Sequence, residues 1–206
     1  MHENNAHALR GEVLFLIIPE YADWEFSLLA PGLRRGFGLW VPQYDVKVVA
    51  PDEGPVMSIG GFRCVPDYTF DSMPNDYSAL VLIGGMNWWG EDAKRVAPIV
   101  QQALAGEKIV GAICDASVFL GANGFLNAAE HTSNGLAYLK EKAGAAYTGE
   151  AGYRNVPSVC AGNLVTASGA GFIEFACDML KALGAADANG IVAMRQAFTS
   201  GIFPGS

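Results

Sequence analysis

The sequence predicts a single α/β domain built on a doubly wound, mostly parallel sheet, and three observations carry that prediction. Residues 12–19, 78–83 and 108–113 each contain a continuous apolar run rather than an alternating one, as expected of strands buried on both faces. Apolar residues at helical spacing fill the intervals, so strand, helix, strand is the opening unit. The last of these runs ends at a single cysteine, Cys114, after which Val118, Phe119, Ala122, Phe125 and Leu126 follow at spacings of three and four.

Taken in order, residues 1–11 are polar and read as a flexible amino-terminal tail, leaving 12–206 as one domain. The first strand occupies 12–19. Asp23 is placed to N-cap a helix running to about Arg35, and 45–50 forms the second strand. Residues 56–70 read as a small hairpin or edge excursion, because Gly60-Gly61 permits a tight turn and Pro66 is tolerated at an edge. The strand 78–83 ends in Gly84-Gly85, and a helix over 91–105, with an irregularity at Pro98, leads into the strand before Cys114. Beyond the next helix come a loop over 127–134, a short helix over 135–143 and irregular or edge structure over 147–156. A hairpin or turn-entered strand around Gly162-Asn163 and helices over 171–183 and 189–198 complete the chain.

Composition narrows the function. Half of the 206 residues are hydrophobic, enough for a substantial core, yet no apolar run reaches membrane-spanning length. The amino terminus lacks the apolar stretch and cleavage site of a secretory signal, so a cytoplasmic protein with no membrane association is expected. A net charge of −8 without a basic stripe argues against nucleic-acid binding. The four cysteines, Cys64, Cys114, Cys160 and Cys177, are widely spaced and accompany only three histidines, which argues for reduced thiols and no bound metal. No cofactor motif is present, and a small-molecule substrate is expected.

In an open parallel sheet the ligand crevice lies beyond the carboxyl ends of the strands. Residues 20–25, 84–89, Cys114-Asp115 and 168–171 should therefore converge. Cys114 sits on a strand-to-helix elbow, where unpaired amides and the helix dipole lower a thiol pKa, although a buried core cysteine is the plainer reading. Glu25, placed in the first turn of its helix, would stabilise a thiolate if protonated and oppose it if ionised; a solvated helix-start glutamate fits the same spacing. Gly84 and Gly85 can present amides to an oxyanion, or form only a tight turn. Trp88 walls an apolar pocket or packs in the core. His131 is the one histidine outside the amino terminus, structural or catalytic, and Asp115 is a helix cap before it is an acid.

Together these motifs resemble the ThiJ/PfpI superfamily, which includes the parkinsonism-associated deglycase and the PfpI-type intracellular proteases. The matching pieces are Ala22-Asp23-Trp24-Glu25, Ile83-Gly84-Gly85, Ala112-Ile113-Cys114, His131-Thr132 and the run from Ser168 to Ala176, in family order. The resemblance implies a flavodoxin-like three-layer α/β/α sandwich, a homodimer, Cys114 as nucleophile and Glu25 as its protonated partner. It also implies amide donors at Gly85 and after Cys114, and His131 near the sulfur. Asp115 stands where the proteolytic members carry histidine, which weakens a peptidase reading. Three functions are consistent with these parts. One is an enzyme acting on a small carbonyl or amide-like electrophile, of hydrolase, amidase or glyoxalase type. The others are a stress-responsive protein oxidised at Cys114 and a non-catalytic binding dimer.

Overall fold

The computed structural model describes residues 9–203. Its strands are β1 (Gly11–Leu16), β2 (Tyr44–Ala50), β3 (Val56–Met57), β4 (Arg63–Cys64), β5 (Tyr68–Thr69), β6 (Ala79–Leu82), β7 (Ile109–Ile113), β8 (Ser158–Ala161) and β9 (Leu164–Ala167). The helices are α1 (Leu29–Arg35), α2 (Glu91–Lys94), α3 (Val96–Ala105), α4 (Asp115–Ala122), α5 (Leu136–Ala143), α6 (Phe172–Ala182) and α7 (Ala188–Ser200). Seven strands form one sheet in the order β5-β2-β1-β6-β7-β9-β8, parallel except for the edge strand β8. β3 and β4 form a separate antiparallel hairpin, as the Gly60-Gly61 turn predicts.

The continuous apolar runs resolve into alternation once the sheet is built, because successive side chains leave opposite faces. Val13, Phe15, Val81 and Ile113 pack under α1, α6 and α7, while Leu14, Leu16, Leu82 and Ala112 pack under α3, α4 and α5. Burial on both faces is the physical content of the three-layer sandwich. It also aligns the carboxyl ends of β1, β6, β7 and β9 along one edge.

Two helices depart from expectation, and each departure is set by a proline. The helix expected to start at Asp23 starts at Leu29. A helix from Asp23 would carry Pro31 in its interior, where the ring collides with the preceding turn and an N–H is missing. Starting at Leu29 puts Pro31 in the first turn, where no N–H is needed. Asp23 is not a cap, since its carboxylate accepts from the Gly60 N–H at 2.7 Å, and Glu25 therefore lies ahead of the helix rather than in its first turn. The 91–105 helix likewise divides at Arg95 into α2 and α3, which places Pro98 in the first turn of α3.

The expected tail over 1–11 lies outside the described residues as far as residue 8. Its last part is held: the Arg10 N–H donates to Gln43 C=O at 2.7 Å, and Gly11 already pairs with Tyr44.

Candidate active site

Cys114 lies between β7 and α4 with φ 59° and ψ −133°, a left-handed conformation that a side-chain-bearing residue adopts at a cost of about 1–3 kcal/mol. The surroundings impose it. The Cys114 N–H donates to Ala167 C=O at 3.0 Å, and its carbonyl accepts from the Ser117 N–H at 3.0 Å and the Ser117 hydroxyl at 2.6 Å. The elbow thus aims the sulfur out of the sheet edge into an open cavity of about 470 Å³.

Glu25 faces it. The chain from β1 turns back, so that this carboxylate is 1% exposed, and Oε2 accepts from the Gly84 N–H at 2.6 Å. Among the described residues Oε1 has no other hydrogen-bond partner, and it lies beside the sulfur. Burial pushes the Glu25 carboxyl up to about 7; its interactions with Cys114 and the Gly84 N–H pull it down, and Asp115 raises it. Burial and then the Glu25 charge push the Cys114 thiol up to about 12, opposed by a hydrogen bond from Asn134. The lowered thiol pKa expected of a helix start is therefore not what this environment produces. Two carboxylates and desolvation outweigh the dipole. Between about pH 7 and about pH 12 the Cys114–Glu25 pair holds one proton and one negative charge between them.

The glycines expected at the site serve first as clearance. A Cβ on Gly84 would stand 2.5 Å from Cys114 Cβ and 2.7 Å from Glu25 Oε2. Gly85, at φ +154°, would place one 2.3 Å from Glu20 C=O, and Gly169 would place one 2.9 Å from the sulfur. Among the described residues the N–H groups of Gly85 and Asp115, both bordering the cavity, have no acceptor and are available to a bound oxygen.

His131 and Trp88 do not join this group. His131 is fully buried, with Nδ1 bonded to Ala129 C=O and Nε2 to the Tyr147 hydroxyl, each at 2.8 Å, between the rings of Tyr147 and Tyr153. Burial lowers its pKa, so the ring is neutral and fastens the 127–134 loop. Asn134, three residues on, takes the place expected of the histidine. Its Nδ2 donates to Cys114 Sγ at 3.2 Å and to Asp115 Oδ1 at 2.9 Å, while its Oδ1 accepts from the Gly169 N–H at 2.9 Å. Trp88 is a core residue, 1% exposed, its Nε1 donating to Ile83 C=O and its ring on Phe119. The indole at the cavity is that of Trp24, pinned by a 2.9 Å bond from Nε1 to Gly169 C=O.

Asp115 is not a cap. Its two oxygens accept from Asn134 and, at 3.1 Å, from the Tyr138 hydroxyl, at the cavity wall. Asn134 and Tyr138 were invisible to spacing, because they come from a loop and a helix brought in by tertiary packing. Among the described residues no group of three or more His, Cys, Asp or Glu is arranged to hold a metal, and all four cysteines are free. Nor is any helix long and apolar enough to cross a membrane.

A buried glutamate under an elbow cysteine, with paired glycines after the neighbouring strand, is the pattern that the resemblance implies. The family model described as DJ-1/PfpI matches residues 11–182. The chain belongs to the DJ-1/PfpI family. A Bacillus subtilis relative, named as the uncharacterized protease YoaZ, is 33% identical over 175 residues, covering 84% of this chain and 83% of that protein. The solved structure of a DJ-1 superfamily protein from Agrobacterium tumefaciens superposes with a TM-score of 0.82 at 35% identity, over 93% of this chain and 98% of that one. A ThiJ/PfpI family protein from Bacillus anthracis gives 0.86 at 29% identity, over 93% and 92%. The fold is thus the flavodoxin-like α/β sandwich of the DJ-1/ThiJ family.

Proposed function

We propose that the protein is an enzyme in which the Cys114 sulfur adds to a small electrophilic carbonyl or amide-like carbon, as a hydrolase, amidase or glyoxalase-type catalyst. The observation that carries this reading is the Cys114–Glu25 pair, sharing one proton at the wall of an open cavity. Glu25 takes the thiol proton as the sulfur attacks and returns it to the departing or rearranging group. The unpartnered N–H groups of Gly85 and Asp115 receive the developing oxyanion. The curated relative is named as a protease, but peptide cleavage on this plan has less support here. Among the described residues no imidazole faces the sulfur to protonate a leaving amine, since both His131 nitrogens are engaged elsewhere.

A panel of small dicarbonyls and primary amides tests the reading. With the substrate that turns over, Cys114→Ala is expected to lower kcat on the order of a thousandfold or more. Undiminished turnover in that variant removes the proposal.

The same amides and Asn134 would also hold the oxygens of an oxidised sulfur, which supports a second reading, a redox-responsive Cys114. Mild peroxide is then expected to convert Cys114 to the sulfinate ahead of Cys64, Cys160 and Cys177, as read by peptide mass. Equal modification of all four counts against it.

A further inference from the structure

We infer that the Cys114 cavity takes electrophiles carrying an organic cation, a protonated or quaternary amine, and turns away those carrying a carboxylate or phosphate. The inference rests on Cys114 being the nucleophile and adds the substrate class.

Among the described residues that border the cavity there is no Lys, Arg or His, whereas Asp115 is one of them. Among the described residues Asp115 is paired with no cation; its oxygens accept only from the neutral Asn134 amide and the Tyr138 hydroxyl, which fix its position without cancelling its charge. The Cys114–Glu25 pair behind it contributes a second negative charge. The loop that carries Trp24 adds Glu20 and Asp23 with no base, in a chain of net charge −8. An anion entering this partly desolvated space meets repulsion from Asp115 and from the Cys114–Glu25 pair.

The remaining lining suits the other partner. Trp24 is 43% exposed with its indole held by the bond to Gly169, and Tyr138 borders the same space, so two aromatic faces are available to a cation. The Tyr138 ring already attracts one: Lys142 Nζ lies 5.6 Å from its centroid, outside the cavity, with its charge shared with Glu141 at 3.5 Å. Met86 and Ile59, both exposed at the rim, offer apolar surface to the body of the ligand.

The test uses three thiosulfonate reagents of matched size, one bearing a trimethylammonium group, one a sulfonate and one no charge. In each case the sulfur attacks the sulfenyl sulfur, an S–S bond forms, and methanesulfinate leaves with the electron pair of the broken bond. Labelling is followed on the intact chain at the Cys114 peptide, and each rate is divided by that of a neutral model thiol. The normalised cation-to-anion ratio is expected to exceed unity by about tenfold at low salt and to fall as salt is raised. Asp115→Asn is expected to cut the ratio severalfold, whatever it does to the rate with the uncharged reagent. A ratio near unity in the wild type, or one unaffected by both salt and Asp115→Asn, overturns the inference and leaves the nucleophile standing. Failure of all three reagents to label Cys114 overturns both.

Discussion

A single methyl group added at Gly84 is expected to destabilise the protein by about 3 kcal/mol or more and to remove the reactivity of Cys114. The new Cβ would stand within 2.7 Å of Cys114 Cβ, Glu25 Oε2 and Ile113 C=O together, two of them main-chain or near-main-chain atoms that cannot swing away. Relief requires moving the elbow or expelling the carboxylate from beneath it, and either breaks the Gly84 N–H to Oε2 bond. Gly54 supplies the contrast, since nothing lies within 4 Å of a Cβ there and its φ is ordinary. Gly54→Ala is expected to leave stability within about 0.5 kcal/mol. Denaturant titration of the two variants, with thiol labelling of each, checks the pair. Equal stabilities would mean that the site is not packed as described.

The second large effect concerns Glu25 and pH. Its folded pKa of about 7 lies above the ordinary value of 4.5, so the folded state holds this proton more tightly than the unfolded chain does. The associated stability is fully present below pH 4.5 and is lost as pH rises through 7. A shift of that size corresponds to about 3 kcal/mol. Glu25→Gln keeps the acceptor for the Gly84 N–H but has no proton to lose. Between about pH 4.5 and 8, the wild type is therefore expected to lose about 3 kcal/mol relative to the glutamine variant. Parallel stability profiles would show that Glu25 titrates as an exposed carboxyl.

The legibility of the fold and of the site differed for physical reasons. Strands such as residues 79–82 and 109–113 are legible because burial on both faces demands unbroken apolar runs. The Gly162-Asn163 turn is legible because a tight reversal needs positive φ, +63° at Gly162. Helix starts were set by Pro31 and Pro98, whose preference for a first turn is local information that the spacing of apolar residues overrode. Cys114 and Glu25 could be found because an elbow and a loop after β1 must meet at the sheet edge. Residue type alone misleads at His131 and Trp88. Histidine and tryptophan carry chemistry often enough to attract attention, yet both are buried here with their ring nitrogens satisfied. Asn134 and Tyr138 take up work at the sulfur and at Asp115, through contacts across twenty or more residues that no spacing encodes.

The most direct test of the Cys114–Glu25 pair is the rate of Cys114 alkylation by a small neutral reagent across pH, in the wild type and in Glu25→Gln. The wild-type rate is expected to step up near pH 7, where the pair gains its negative charge, and the variant is expected to lose that step and react only in alkali. A wild-type rate that climbs only in alkali, or a step near 7 that survives in Glu25→Gln, would contradict the shared proton on which the proposed chemistry depends.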